Sequence, residues 1–422
     1  MVDHRLLCWG RMTQRILLAT TVKWPSAAYL ANAFASFGCS VEAVFPRRHV
    51  LGVSRDVARA HAYHPLRPHA SFAAAIAAAK PDLIVPCDDR AVLHLLALQV
   101  RTPQIAALLV RSMGRLESYP AMMARSSAII AAQAEGIAAP LTIAVANEAE
   151  FARALDRVGL PAVLKADGSW GGDGVAVVRT REEAGLAFRK LADPPSRLRS
   201  LTRAVLRKDA HFLGAAFVPK AAPVQVQRFI EGKPATSAFA CREGEVLAAI
   251  HMNVVEAQGT TGPAALIERT DCARMDKAAR RIARRFGLSG LHGLDFVRDE
   301  DGIPHLIEIN PRATQICHLA LGAGRDLPSA LLGRRPRPAV TDKALIALFP
   351  QAWSTGRLPP NASAAYLDVP WDDPAVVSAA LGPGISLLKA QPGRKAPAAS
   401  DTLDFLTGRL EESDVRSHRL PL

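Results

Sequence analysis

From Arg15 to Cys87, short β-branched and aliphatic runs alternate with Ala-rich stretches: RILLAT (15–20), SVEAVF (40–45) and DLIVPC (82–87) are the runs, and 25–37 and 71–79 the intervening helical segments. Apolar runs of strand length separated by helix-length segments predict βαβ units and a parallel sheet. No GxGxxG follows the first strand, which disfavours a dinucleotide-binding version of that sheet. Asp88, Asp89 and Arg90 come directly after the third run. That is the carboxyl edge, where open α/β sheets bind ligands, although an Asp there also serves as an ordinary helix cap.

Further along, 117–135 reads as one helix and EAEFARALDRV (148–158) as another, with a loop and a short strand in GIAAPLTIAVA between them. The texture then shifts to closely spaced β-runs: PAVLKA (161–166), VAVVRT (175–180), VQVQRFI (224–230), SAFACR (237–242) and EVLAAIHM (245–252). A helix over 274–286 leads into a strand pair at 292–298 and 303–309. Residues 335–422, with their prolines at 359–360, 383, 392 and 397, read as a smaller appendage with loops, and residues 1–11 as a loose tail or an upstream start. The class is thus α/β followed by α+β. No internal repeat is visible.

Composition narrows the class further. A chain of 422 residues, 49% hydrophobic, implies two to four domains. The net charge of +13 favours anionic partners, but no basic run is interleaved with the aromatics that a strand-stacking surface needs, so nucleic acid is not an expected partner. The six cysteines are scattered without a CxxC pair, which points to a reducing, cytoplasmic setting. No apolar run has the length of a membrane span and the start MVDHRLLCWGRM lacks an h-region, so no membrane is expected.

Two segments carry chemistry. Between the β-runs at 161–166 and 175–180 lies DGSWGGDG (167–174), whose Gly168, Gly171, Gly172 and Gly174 can take positive φ and bring bare N–H groups to a ligand. Because it joins strand to strand, it is neither a P-loop nor a Rossmann turn. It reads as a flap over a nucleotide, with Lys165 at the end of the entering strand as a charge for phosphate oxygens; a plain hairpin turn with a snorkelling lysine is the bland alternative.

The second segment is HGLDFVRDEDGIPHLIEINPR (292–312). Reading Asp301-Gly302 as a two-residue type I′ turn pairs Glu300 with Ile303, and counting outward sets Asp295 opposite Glu308 and Pro304 opposite Asp299. Asn310 lies two residues beyond Glu308, on the same face. Two facing acids amid Leu294, Phe296, Leu306, Ile307 and Ile309 repel each other unless a cation lies between them. With an amide oxygen they make an all-oxygen set suited to Mg²⁺, which takes few protein ligands. The alternative is an exposed acidic hairpin.

The order of Lys165, the glycine flap, VQRFIEG (226–232), LDF and LIEINPR resembles the ATP-grasp superfamily, particularly the branch with biotin carboxylase, carbamoyl-phosphate synthetase and carboxylate–amine ligases. The resemblance covers roughly 115–325, and EINPR is its most specific part. It implies a pre-ATP-grasp α/β domain over 12–112, a two-lobed ATP-grasp domain over 113–330 with its lid at about 160–228, and the appendage over 335–422. It also implies that Arg125, Lys165 and the 168–174 flap meet ATP phosphates, and that Gln227, Arg228 and Ile230 form the adenine hinge. Asp295, Glu308 and Asn310 would hold Mg²⁺ or Mn²⁺, and Arg312, with Lys165, would stabilise the transferring phosphoryl group. Three departures stand out: Gln227 replaces a usual glutamate, Arg125 a lysine, and Lys233-Pro234 stands where an acid commonly reaches the ribose.

The function implied is a ligase that activates a small-molecule carboxylate as an acyl phosphate and couples it to an amine, releasing ADP and phosphate. A bicarbonate-using carboxylase and a non-catalytic ATP-binding module are the alternatives. A homodimer stays open. Thr260, Thr261, Arg269 and His318 are substrate-side candidates that ordinary loop or core roles would equally explain.

Overall fold

The computed structural model describes residues 13–166, 174–192, 223–259, 262–353, 362 and 364–381. The N-terminal segment builds a parallel sheet in the order β3-β2-β1-β4 from β1 (Arg15–Ala19), β2 (Ser40–Phe45), β3 (Arg59–Ala62) and β4 (Leu83–Pro86). Its crossovers include α1 (Ser26–Ala35) and α2 (Pro68–Ala79), as the alternation of runs predicts. β3, RAHA, carries no apolar signature because it lies at the sheet's edge with its side chains largely exposed. Asp88 caps α3 (Asp89–Arg101) by accepting from the Ala91 amide at 2.9 Å.

The single helix expected over 117–135 is corrected by the structure. After α4 (Ala106–Met113) and a 3-10 turn, the chain forms α5 (Tyr119–Met123), leaves helical geometry at Ala124 (ψ 102°) and restarts as α6 (Arg125–Ala134). Residue 125 therefore opens a helix instead of lying within one.

A second, antiparallel sheet in the order β5-β8-β6-β7 comprises β5 (Thr142–Val145), β6 (Ala162–Ala166), β7 (Val175–Val178) and β8 (Val224–Arg228). α7 (Glu148–Val158) and α8 (Arg181–Ala192) cover it. Asn147 caps α7 by accepting from the Glu150 amide, and the Glu150 carboxylate accepts from the Ala146 amide just before the cap. Its apolar residues Phe151, Ala154, Leu155 and Val158 repeat at helical spacing, and Phe151 stacks on Phe188 of α8 at 4.4 Å between ring centres.

The third sheet has seven strands in the order β13-β12-β9-β10-β11-β14-β15. These are β9 (Lys233–Arg242), β10 (Glu245–Ala257), β11 (Ala264–Arg269), β12 (Gly290–Arg298), β13 (Pro304–Asn310), β14 (Leu345–Leu348) and β15 (Tyr366–Asp368). α9 (Ala273–Phe286) packs on β9 and β10 through Met275, Ala279, Ile282 and Phe286, while α10 (Leu327–Leu332) lies against β9, β10 and β12. The segment read as an appendage thus supplies the last two strands of this sheet, and α11 (Pro374–Leu381) follows them. The first and third sheets share continuous apolar cores, whereas the second sheet and its two helices have a core of their own. Two lobes with separate cores leave a polar seam, and the candidate site lies on it. Among the described residues, no helix is long and apolar enough to cross a membrane.

Candidate functional site

The β12–β13 hairpin sets the site's geometry. Asp295 faces Glu308, Leu294 faces Ile309 and Gly293 faces Asn310, as the outward count predicts. The predicted turn, however, is corrected. The Asp299 amide donates to the Ile303 carbonyl at 3.1 Å and the Gly302 amide to the Asp299 carbonyl at 2.9 Å, with Gly302 at φ 73°. Glu300, Asp301 and Gly302 thus form a three-residue loop, and Pro304 faces Arg298, not Asp299. The register shifts by one at the turn and shifts back at a bulge between the 295 and 296 pairings, where Ile307 is the extra residue. The two shifts cancel at Asp295 and Glu308.

The bulge also has a chemical consequence. It turns the Ile307 carbonyl out of the ladder, and Lys165 at the end of β6 donates to that carbonyl at 3.3 Å. Arg125, the first residue of α6, donates Nε and Nη2 to Glu308 Oε1 at 3.2 and 3.1 Å and Nη1 to the Ala166 carbonyl at 2.9 Å. Both cations therefore bridge the seam between the lobes.

On the other flank, Asp295 accepts from Thr236 Oγ1 and from Asn310 Nδ2, each at 2.8 Å. Arg312 donates Nη2 to Asn310 Oδ1 at 3.0 Å and Nε to Asp89 Oδ2 at 3.3 Å, and its guanidinium lies 4.8 Å from the centre of the Trp24 ring. Asp89 thus joins the site from the carboxyl edge of the first sheet, while its neighbour Asp88 is held by Thr20 and Thr21.

The electrostatics are those of a buried, mixed-charge cluster. Burial, assisted by Glu308, raises the Asp295 carboxyl above its ordinary value against the hydrogen bonds from Thr236 and Asn310. Burial alone would raise Glu308 too, but Arg125, Lys165 and Arg312 outweigh it and hold that carboxyl below its ordinary value. Burial lowers Lys165 against the pull of Glu308. Asp89 is raised chiefly by burial, with Arg312 opposing.

Asp295, Glu308, Asn310, Lys165, Arg125 and Arg312 are brought together as the sequence suggests. Gly174 precedes β7 with φ 87°, and its carbonyl accepts from the Ala166 amide at 2.9 Å. Gly168, Gly171 and Gly172, like Thr260 and Thr261, lie outside the described residues. Gln227 does not reach the charged cluster with its side chain: it is buried in the second sheet and donates to Thr142 Oγ1 at 2.9 Å. Arg228 donates Nε to the Val158 carbonyl at 3.3 Å, and Ile230 follows β8, half-buried. His318 pairs with Asp368 at 2.9 Å and Arg269 with the Asp342 carbonyl at 3.2 Å. Sequence reasoning missed Thr236 and Trp24. Thr236 lies opposite Asp295 across β9, a pairing no local pattern encodes.

The donor set suits a hard divalent cation. Two carboxylates and an amide oxygen are present, and Asp295 is raised by burial beside Glu308. Among the described residues no group of three or more His, Cys, Asp or Glu is placed to hold a metal ion.

A family model described as "ATP-grasp domain" matches residues 202–315. No curated protein matches. The fold is similar to that of the biotin carboxylase domain of Hydrogenobacter thermophilus 2-oxoglutarate carboxylase, solved with MgADP, ADP and bicarbonate: TM-score 0.55 and 15% identity, covering 78% of this chain and 72% of that one. The Staphylococcus aureus N5-carboxyaminoimidazole synthetase solved with ADP gives 0.55 and 11%, covering 78% and 80%. The Bacillus licheniformis L-amino acid ligase gives 0.51 and 13%, covering 78% and 76%.

Proposed function

We propose, from the premise that this chain carries an ATP-grasp domain and has the ATP-grasp fold, that it is an ATP-dependent ligase that makes an acyl phosphate from a small carboxylate and passes the acyl group to an amine. The observation that carries this reading is the convergence of Asp295 and Glu308 with three cations, Arg125, Lys165 and Arg312, on the seam between the lobes. Binding a nucleotide does not need three convergent cations beside two acids, whereas transferring its terminal phosphoryl group does. Similar folds solved with ADP or MgADP support ATP and Mg²⁺ as the reagents.

A carboxylate cannot be displaced by an amine near neutral pH, because the leaving group would be oxide. Attack of a carboxylate oxygen on the γ-phosphorus forms the acyl phosphate and releases ADP, and attack of the amine on the acyl carbon then expels phosphate. In this reading Asp295, Glu308 and Asn310 hold the ion, which supplies charge neutralisation on the phosphate oxygens. Lys165 and Arg125 bind phosphate from the side of the second sheet. Arg312 meets the transferring group, oriented by Asp89, Asn310 and the Trp24 face.

The test is isotopic. With ¹⁸O in the carboxylate substrate, one label should appear in the inorganic phosphate released with ADP. Formation of AMP, or unlabelled phosphate during ligation, would reject the mechanism while leaving the fold untouched.

A further inference from the structure

We infer that a second small-molecule site lies between the first and third sheets, at the end of the first sheet remote from the acids, and that it takes a small zwitterionic amino acid with its ammonium inward and its carboxylate outward. Such a site stands whether or not the chain is a ligase.

The place is a cavity of about 40 Å³ where the amino ends of β1 and β4 meet the end of β9 and the end of α10. Asp82, just before β4, lies on its wall, whereas Asp88 follows the other end of that strand. The six residues of extended chain between them span roughly 20 Å, so the cavity is separate from the seam that holds Asp295 and Glu308.

The inner wall supplies an acceptor. Gln14 lines the cavity at 7% exposure, and among the described residues its Oε1 has no hydrogen-bond partner. A buried carbonyl oxygen without a donor is costly, which favours a ligand group that brings an N–H. Beside it there is room for roughly one or two non-hydrogen atoms, since a water molecule takes up ~30 Å³ in the liquid. An ammonium group has that size.

The outer wall supplies positive charge. Arg111 and Arg242 are both exposed, and among the described residues each is held by a main-chain carbonyl of the wall and not by a carboxylate: Arg111 Nη1 donates to the Asp82 carbonyl at 3.3 Å, and Arg242 Nη2 to the Leu331 carbonyl at 2.7 Å. Asp82, the acid of the wall, is turned to Arg15, whose amide donates to its Oδ2 at 2.9 Å and whose Nε lies 3.9 Å away. The mouth therefore suits a carboxylate and disfavours a metal ion. Ile16, Leu83, Leu331 and Leu332 make the remaining wall apolar, which fits a short aliphatic stem joining the two heads. Sulfate or a fully ionised phosphate would offer Gln14 no donor and exceed the inner volume.

The test titrates glycine into the whole chain in EDTA by calorimetry, so that neither metal nor nucleotide takes part. The wild type should bind glycine with a dissociation constant of about 1 mM or tighter, and acetate and methylammonium, which each keep one of the two heads, about tenfold more weakly or worse. Gln14→Leu, which removes the amide at similar bulk, and Arg242→Met should each weaken glycine about tenfold, while Glu308→Gln at the seam should leave it unchanged. Circular dichroism checks folding, and because Arg242 is exposed its variant still decides the matter if Gln14→Leu fails to fold. Glycine binding that survives in the folded Gln14 and Arg242 variants would put the ligand elsewhere and overturn the inference. No binding by the wild type would mean that the cavity takes water only, and acetate binding as tightly as glycine would remove the ammonium; either result overturns it as well.

Discussion

Replacing Glu308 by Gln removes one charge with almost no change of shape, and the structure sets what that charge is worth. Glu308 Oε1 lies 3.1 Å from Arg125 Nη2, with the two side chains 33% and 17% exposed. At an effective dielectric of about 20 the bare attraction is roughly 5 kcal/mol. Most of it is cancelled by the desolvation of both groups and by repulsion from Asp295, so the unliganded protein should lose about 1–3 kcal/mol at neutral pH. The loss has a pH signature. A carboxyl whose folded pKa lies below its ordinary value of 4.5 contributes stability above that value and loses it as pH falls through the folded pKa. Urea unfolding of the two proteins should therefore give a gap at about pH 7 that narrows as the pH falls below 4.5 and through the lowered folded-state pKa of Glu308. In parallel, Mn·ATP binding should collapse in Glu308→Gln. Equal stabilities throughout, or a gap that does not change with pH, would refute the pairing of an ionised Glu308 with the cations, and unchanged Mn·ATP binding would refute the metal assignment.

Two further outcomes test the scaffold behind the site. His292 and His49 are buried and burial holds each at about 4, below the usual 6.5, so the unfolded chain binds protons first and stability falls as pH drops from about 6.5 to 4; His292→Gln should reduce that acid loss by roughly 3 kcal/mol, and an unchanged acid limb would refute it. A methyl group at Gly293, opposite Asn310, would come within 2.3 Å of Thr314 Cγ2, so Gly293→Ala should cost about 1–3 kcal/mol in unfolding measurements and Thr314→Ser, which deletes that methyl, should recover much of it.

How far the sequence reached can be judged residue by residue. The facing of Asp295 and Glu308 was legible because strand periodicity and the position of the turn constrain it locally, although the turn has three residues instead of two and the bulge at Ile307 restores the count. A bulge has no composition of its own, and the Ile307 carbonyl at this one accepts from Lys165, far away in the chain. The βαβ alternation and the helix over 148–158 were likewise written in neighbouring residues. The break at Ala124 was not. The run from 117 to 135 reads as one helix by local pattern, whereas the chain leaves helical geometry at Ala124 and Arg125, opening the next helix, meets Glu308 and Ala166, partners 183 and 41 positions away that no local pattern encodes.

By itself, then, the sequence determined the elements with a short period, the candidate acids, the cations and their order along the chain. The tertiary structure decided which partners they have. Asp89 reaches Arg312 across 223 positions, Arg125 reaches Glu308 across 183, and Thr236 meets Asp295 through the β9–β12 pairing. Such contacts are fixed by how the first and third sheets pack around shared cores and the second sheet around its own, because a charge in a buried seam takes whichever partner the packing brings within about 3 Å, however far apart the two lie in the chain.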